Sequence, residues 1–172
     1  HEKFKKILVN GTTCTPYGST ECLPVSNLYA EEILSETSCL TKEGKGVCIG
    51  RPVAGVELRI VEPSDGPLDS VPQSCAPYVV GEIIVRAKQA TRHYLQNPKA
   101  DALGKISDGD SFWHRMGDLG YADLNGRVWF VGRKAHSFQS HGRDFYPIPC
   151  EAIFNQHQAV RKSALIVLKK NN

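Results

Sequence analysis

Periodicity predicts a strand-rich, mixed α/β chain with a short α/β tail. Two observations carry most of that reading. In the segment 53–61, Val56, Leu58 and Ile60 fall on one face while Glu57 and Arg59 fall on the other, which is the two-residue period of a half-buried strand. Further on, Asn125-Gly126 separates two apolar runs, and this dipeptide readily takes the positive φ angles of a tight hairpin turn.

In chain order, Ile7-Leu8-Val9 reads as a short buried strand, followed by a turn-rich loop over 10–20. A helical turn is expected within 31–35 and a polar, glycine-bearing loop over 42–46. After the strand of 53–61 comes a loop rich in Pro, Ser, Asp and Gly over 63–77. The segment 79–85 reads as another strand. Within 94–105 a partly helical stretch starts at Asn97-Pro98, a capping residue followed by a proline. Residues 118–121 enter the Asn-Gly hairpin and 128–131 return from it. Pro147 and Pro149 precede a helix over 150–156, and 163–168 suits a last strand. No internal repeat or low-complexity segment interrupts this order. A chain that begins and ends near strand-like runs, with His at position 1, is expected to be cut from a longer polypeptide.

Composition excludes several classes. The formal net charge is +3, and no basic run exceeds Lys5-Lys6 or Lys169-Lys170, so the basic face of a nucleic-acid binder is missing. No apolar stretch approaches the roughly 20 residues a membrane-spanning helix needs. Six cysteines are scattered without a C-x-x-C pair, which suits reduced thiols in a cytoplasmic protein better than a disulfide framework or a zinc site.

Three short stretches carry groups with chemistry. Thr15-Pro16-Tyr17-Gly18-Ser19-Thr20-Glu21 combines a glycine turn, a hydroxyl suited to a phosphate oxygen, an aromatic face for a base and a carboxylate. Magnesium prefers oxygen ligands and usually bridges to phosphate, so Glu21 is a candidate metal ligand. In His114-Arg115-Met116-Gly117-Asp118-Leu119-Gly120, a carboxylate beside a glycine at a strand edge suits a ribose diol. In Gly132-Arg133-Lys134, the guanidinium at a strand end suits ribose or phosphate oxygens. The same residues equally suit a turn with a solvent-facing Glu, an Asp in a type I turn and a surface Arg. His114 lies beside the second stretch, in reach of a substrate or packed locally; His136 and His141 flank a Ser/Gln-bearing loop.

The order Y-G-S-T-E, then G-E-I-I-V-R, then G-D-L-G-Y-x-D-x-x-G-R-V-W-F-x-G-R-K resembles the adenylate-forming superfamily of acyl-CoA synthetases, luciferases and peptide-synthetase adenylation domains. The resemblance runs from about Thr15 to the end of the chain. It implies that Tyr17 stacks on adenine, that Gly18, Ser19 and Thr20 line the nucleotide with Thr20 on the α-phosphate, and that Glu21 binds Mg²⁺. Thr20 and Glu21 are then the catalytic pair, and Asp118 holds the ribose hydroxyls with Arg133. It further implies a distorted β-barrel part of the large AMP-binding domain over 1–133. Lys134, Ala135 and His136 form the hinge, followed by the start of the small α/β C-terminal domain over 134–172. ATP or AMP and Mg²⁺ are the implied cofactors, coenzyme A a possible one, and a small carboxylic acid the substrate.

The family's glycine- and Ser/Thr-rich phosphate loop would precede His1, and its acyl-phosphate lysine would follow Asn172. The segment alone is therefore expected to have little activity. Ala135 and His136 stand where the hinge usually carries an acidic pair, which puts transfer to coenzyme A in doubt. Four phrases, residues 15–25, 50–53, 113–118 and 146–151, are similar to the olefin-pathway branch, whose members include fatty-acid–CoA ligase-like and β-lactone synthetase-type proteins. The expected activity is formation of an acyl-adenylate from a fatty or β-hydroxy fatty acid. A non-catalytic nucleotide-binding module and a peptide-synthetase adenylation domain are the alternatives.

Overall fold

A computed structural model describes residues 1–168. After a short helix α1 (Glu2–Ile7) come strands β1 (Cys14–Ser19) and β2 (Cys22–Tyr29). The chain then turns through α2 (Ala30–Glu32), a π-helical turn (Ile33–Thr37) and α3 (Ser38–Lys42). Strands β3 (Val47–Pro52), β4 (Val56–Val61) and β5 (Gly81–Ala87) follow, then α4 (Pro98–Gly104), β6 (Lys105–Asp108), β7 (Ser111–Ala122) and β8 (Val128–Arg133). A 3₁₀ turn (Lys134–His136), a small hairpin β9 (Phe138–Ser140) and β10 (Arg143–Phe145), and α5 (Pro147–Phe154) complete the ordered elements.

The main sheet is antiparallel with strand order β1-β2-β3-β8-β7-β5-β4, and β6 pairs with β7 off this path. The chain is thus the expected strand-rich, mixed α/β type. The sheet does not close: among the described residues β1 and β4 remain edges, so the barrel is an open, curled sheet.

The expected segments with clear patterns are present. Val56 and Ile60 are buried on β4 while Glu57 is exposed. The turn after β7 is closed by the Gly126 amide donating to the Asp123 carbonyl at 3.0 Å, and Asp123 Oδ1 accepts from the Asn125 and Arg127 amides. Asn97 caps α4, its Oδ1 accepting from the Ala100 amide at 3.1 Å. The late helix is α5, starting at Pro147.

Other expectations are corrected. Ile7 belongs to α1 rather than to a strand, and Ile7 and Val9 are 71% and 92% exposed. Three apolar residues in a row carry no period, and among the described residues no strand pairs with them. The loop expected over 10–20 holds β1, an edge strand with Pro16 at a position where a missing N–H is tolerated. Its outer half is exposed, so it shows no apolar alternation. β2 and β3 were not anticipated either. Residues 163–168 form no strand; Ile166, Val167 and Leu168 are exposed.

Two charged clusters fix the scaffold. Arg115 on β7 meets Glu82 on β5 in a two-pronged contact, Nε to Oε1 at 3.0 Å and Nη2 to Oε2 at 2.7 Å, with both side chains almost fully buried. The same guanidinium donates to the carbonyls of Ser64, Gly66 (2.7 Å) and Leu103 (3.0 Å), so a loop and the end of α4 are tied to the sheet centre. Arg127 joins Asp123 (Nε to Oδ2, 2.7 Å) to Glu36 (Nη1 to Oε2, 2.8 Å), clamping the helical segment 30–42 onto the sheet. Trp129 Nε1 donates to the same Asp123 oxygen at 3.0 Å.

Breaking a buried ion pair strands a charge in a dry site, whereas removing both partners does not. Glu82→Ala is expected to lower the unfolding free energy by about 3–5 kcal/mol in urea titration, and Glu82→Met with Arg115→Met to lose less than Glu82→Ala alone. A loss below about 1 kcal/mol for Glu82→Ala would contradict this assignment.

Candidate nucleotide cleft

The β1–β2 hairpin turns so tightly that a Cβ on Gly18 would lie 2.5 Å from the Cys22 carbonyl oxygen, so only glycine fits there. The register of the β1–β2 pair slips between Tyr17 and Ser19. Beyond the slip only Ser19 still pairs, with Cys22, and Thr20 and Glu21 form the hairpin tip. On β7, Gly117 takes φ +68°, a left-handed conformation that frees the strand to bend just before Asp118.

Between these two irregularities lies a cleft of about 760 Å³, lined by Gly18, Ser19, Thr20 and Glu21 on one side and by His114, Arg115, Met116, Gly117 and Arg133 on the other, with Leu23 and Tyr94. Its size is in the range of small-molecule sites. The expected residues Gly18, Ser19, Thr20, Glu21 and Arg133 therefore converge on one cavity.

Tyr17 and Asp118 sit just beneath the wall. The Tyr17 hydroxyl donates to Asp118 Oδ2 at 2.6 Å, and the ring packs 6.4 Å from Phe130. Burial, then the neighbouring carboxylate, drives the Tyr17 phenol far above its usual range, so it stays a donor. Asp118 pairs with Arg133 across β7 and β8. The Arg133 Nη1–Asp118 Oδ1 separation is 3.1 Å, yet Oδ1 is buried without an aligned hydrogen bond, because the guanidinium approaches off axis and donates instead to the Met116 carbonyl at 3.1 Å. Burial raises the Asp118 pKa above the ordinary value, opposed by Tyr17 and Arg133. A buried carboxylate oxygen whose one neighbouring donor is misaligned keeps the capacity to accept from a hydroxyl.

Glu21 faces the cleft from the hairpin tip. Its Oε1 accepts from the Tyr94 hydroxyl at 2.8 Å, and this bond holds its pKa below the usual carboxylate range. Burial and the same bond push the Tyr94 phenol up to about 12. Glu21 is thus ionised and fixed at one oxygen, leaving the other oxygen for a ligand. Among the described residues no three His, Cys, Asp or Glu side chains gather into a cage. A single carboxylate beside a polar cleft fits Mg²⁺, which keeps several waters and shares ligands with phosphate.

Lys134, Ala135 and His136, the expected hinge, do not line the cleft. Lys134 reaches back, its Nζ donating to the Ser64 carbonyl and lying 3.3 Å from Asp65 Oδ1 and 3.8 Å from Glu82 Oε2. Ala135 and His136 are exposed.

Tyr94 and Lys105 escaped the sequence reading. Tyr94 is 73 residues from Glu21, and nothing in spacing links them. Lys105 Nζ donates to the Thr91 carbonyl at 2.5 Å and lies 3.1 Å from His114 Nδ1. Burial lowers the pKa of both Lys105 and His114, and the Lys105 charge lowers that of His114 further.

No protein-family model matches the chain. Over 159 residues, 88% of the chain, it is 41% identical to the olefin β-lactone synthetase of Stenotrophomonas maltophilia and covers 29% of that protein. It is 33% identical over 149 residues to a 2-succinylbenzoate–CoA ligase of a Geobacillus species, 87% of the chain and 26% of the ligase. The chain thus spans under a third of the length of these relatives. Among solved structures, O-succinylbenzoate coenzyme A synthetase from Bacillus subtilis in complex with ATP and magnesium superposes with a TM-score of 0.71 at 25% identity, over 92% of this chain and 30% of that one. No helix among the described residues is long and apolar enough to cross a membrane. With Gly18–Glu21 and Arg133 lining one cleft and Asp118 next to it, the chain is similar in sequence and fold to a segment of adenylate-forming enzymes.

Proposed function

We propose that this chain carries the nucleotide-facing wall of an ATP-dependent, AMP-forming acid ligase that makes an acyl-adenylate from a fatty or β-hydroxy fatty acid. The observation that carries the reading is the buried Asp118 Oδ1 without an aligned donor, just behind Gly117 in the wall of a cleft whose other wall is Gly18–Glu21.

In this reading Asp118 accepts from the ribose hydroxyls, with Arg133 beside it, and Tyr17 underlies the adenine. The Gly18–Ser19 backbone lets the nucleotide approach closely. The Thr20 hydroxyl donates to an α-phosphate oxygen as the acid's carboxylate attacks the α-phosphorus and pyrophosphate departs. Glu21, held by Tyr94, is the ligand for Mg²⁺. The ion supplies positive charge against the phosphate oxygens when bound. The residues named here mainly position and neutralise; none forms a covalent bond to substrate.

Two finer points belong to the same proposal. Residues 1–133 belong to a large AMP-binding domain, and Lys134, Ala135 and His136 form a hinge to a small C-terminal domain over 134–172. The hinge lacks its usual acidic pair, and a relative bears the name olefin β-lactone synthetase. Together these favour transfer of the acyl group to the acid's own hydroxyl over transfer to coenzyme A. Six free cysteines suit a reducing, cytoplasmic setting.

Two measurements test this. In an NMR titration of the chain with AMP, Asp118→Ala is expected to weaken binding roughly ten- to a hundred-fold, the worth of hydrogen bonds to a charged acceptor; equal affinity would contradict the ribose role. The parent polypeptide, given ATP, Mg²⁺ and a long-chain β-hydroxy acid, is expected to release AMP and to yield a β-lactone without coenzyme A, identified by mass spectrometry. An acyl-CoA formed only with coenzyme A would restore the general ligase reading. Absence of AMP release with every acid tried would favour a binding module.

A further inference from the structure

The Lys105–His114 pair borders the cleft and has no part in the nucleotide roles proposed above. His114 is 2% exposed, yet it lines the cleft between Glu21 and Met116. Its Nδ1 lies 3.1 Å from two groups that make opposite demands. The Gly104 carbonyl oxygen calls for a proton on Nδ1, and the Lys105 ammonium calls for a lone pair there. Among the described contacts Nε2 has no protein partner.

Lys105 decides between these demands. Its ammonium is anchored by the Thr91 carbonyl, and at 3.1 Å it leaves no room for a second hydrogen on the Nδ1–Nζ axis. Burial opposes the Lys105 charge, while Glu21 from the hairpin tip, Asp101 from α4 and Cys22 favour it, and the Thr91 carbonyl accepts from it. A charged Lys105 makes Nδ1 the acceptor, so a neutral imidazole carries its proton on Nε2. Burial and the adjacent ammonium both oppose a second proton on the ring.

We propose that His114 is a neutral hydrogen-bond donor that presents Nε2–H to an anionic oxygen of the ligand in the cleft, and that Lys105 is the positioning residue that fixes its tautomer. The inference rests on the acid-activating reading for the identity of that oxygen, which is either a carboxylate oxygen of the acid or a phosphate oxygen of the nucleotide. A donor held in a dry wall needs no reorganisation as charge develops on its partner, and a neutral imidazole serves as well as a cation without competing with Mg²⁺ for the phosphates. The same tautomer cannot accept a proton at Nε2, so His114 is not the base for a substrate hydroxyl.

The tautomer is tested first, on the full chain without ligand, by ¹⁵N NMR of the histidine rings. The expected result is a pyridine-like Nδ1 and a pyrrole-like Nε2 for His114, with the pattern reversing in Lys105→Met as Nδ1–H turns to the Gly104 carbonyl. A protonated Nδ1 in the unaltered chain would overturn the proposal, and an unchanged tautomer in Lys105→Met would remove Lys105 from it. The second test is kinetic, on the parent polypeptide. His114→Phe is expected to lower kcat/KM for AMP release roughly ten- to a hundred-fold, and His114→Gln, whose amide N–H reaches the place of Nε2–H, to recover much of it. A fall in kcat/KM for the acid alone identifies the carboxylate oxygen; a fall for ATP and acid alike identifies the phosphate. Full activity in His114→Phe would overturn the donor role. Failure of the unaltered parent to release AMP counts against the acid-activating reading, and the ring-nitrogen result is independent of it.

Discussion

The hydrogen bond from Tyr17 to Asp118 is the contact on which the cleft depends. It joins residues 101 positions apart, on strands β1 and β7 that are not neighbours in the sheet. For them to meet, the sheet must curl back over β2, β3 and β8. The curl brings the hairpin tip with Thr20 and Glu21 over β7, and further contacts hold it there. The Thr91 amide donates to the Glu21 carbonyl, and the Tyr94 hydroxyl to its carboxylate. A flat sheet of the same strands would leave Glu21 and Asp118 on separate surfaces.

Around that contact the protein spends its buried charge on rigidity. Glu82 and Arg115 sit side by side at the sheet centre, and the guanidinium also gathers three carbonyls from outside the sheet. Such a pair is weak support for stability as such, but it allows one arrangement of the loop around Ser64 and the end of α4. Lys134 extends the same cluster, so the strand that brings Arg133 to the cleft ends on a fixed point. The rigid centre and the bent edge strand together give a site whose walls are set before a ligand arrives. Preorganisation of that kind is what the proposed adenylyl transfer would draw on for electrostatic stabilisation.

Much of this was legible in the amino-acid sequence, but by two different routes. Periodicity found β4, the Asn-Gly hairpin and the capped start of α4, because each has its own local signal. It missed β1, whose exposed edge lacks alternation, and read the exposed Ile7–Val9 run as a strand. The candidate site residues came from the order of short phrases along the chain, not from local chemistry, since Glu21, Asp118 and Arg133 each look like ordinary turn or surface groups alone. The cleft unites Gly18–Glu21 with Arg133, and sets Asp118 directly behind them. Tyr94 and Lys105 stayed invisible because their roles depend on tertiary proximity: Tyr94 meets Glu21 and Lys105 meets His114 only after the sheet curls.

The most direct test of the account is a crystal structure of the chain grown with AMP and Mg²⁺. The account predicts the ribose hydroxyls on Asp118 Oδ1, the adenine over Tyr17 and the phosphate between Thr20 and Glu21. Adenosine bound elsewhere, or a cleft that stays free of AMP at millimolar concentration, would contradict it.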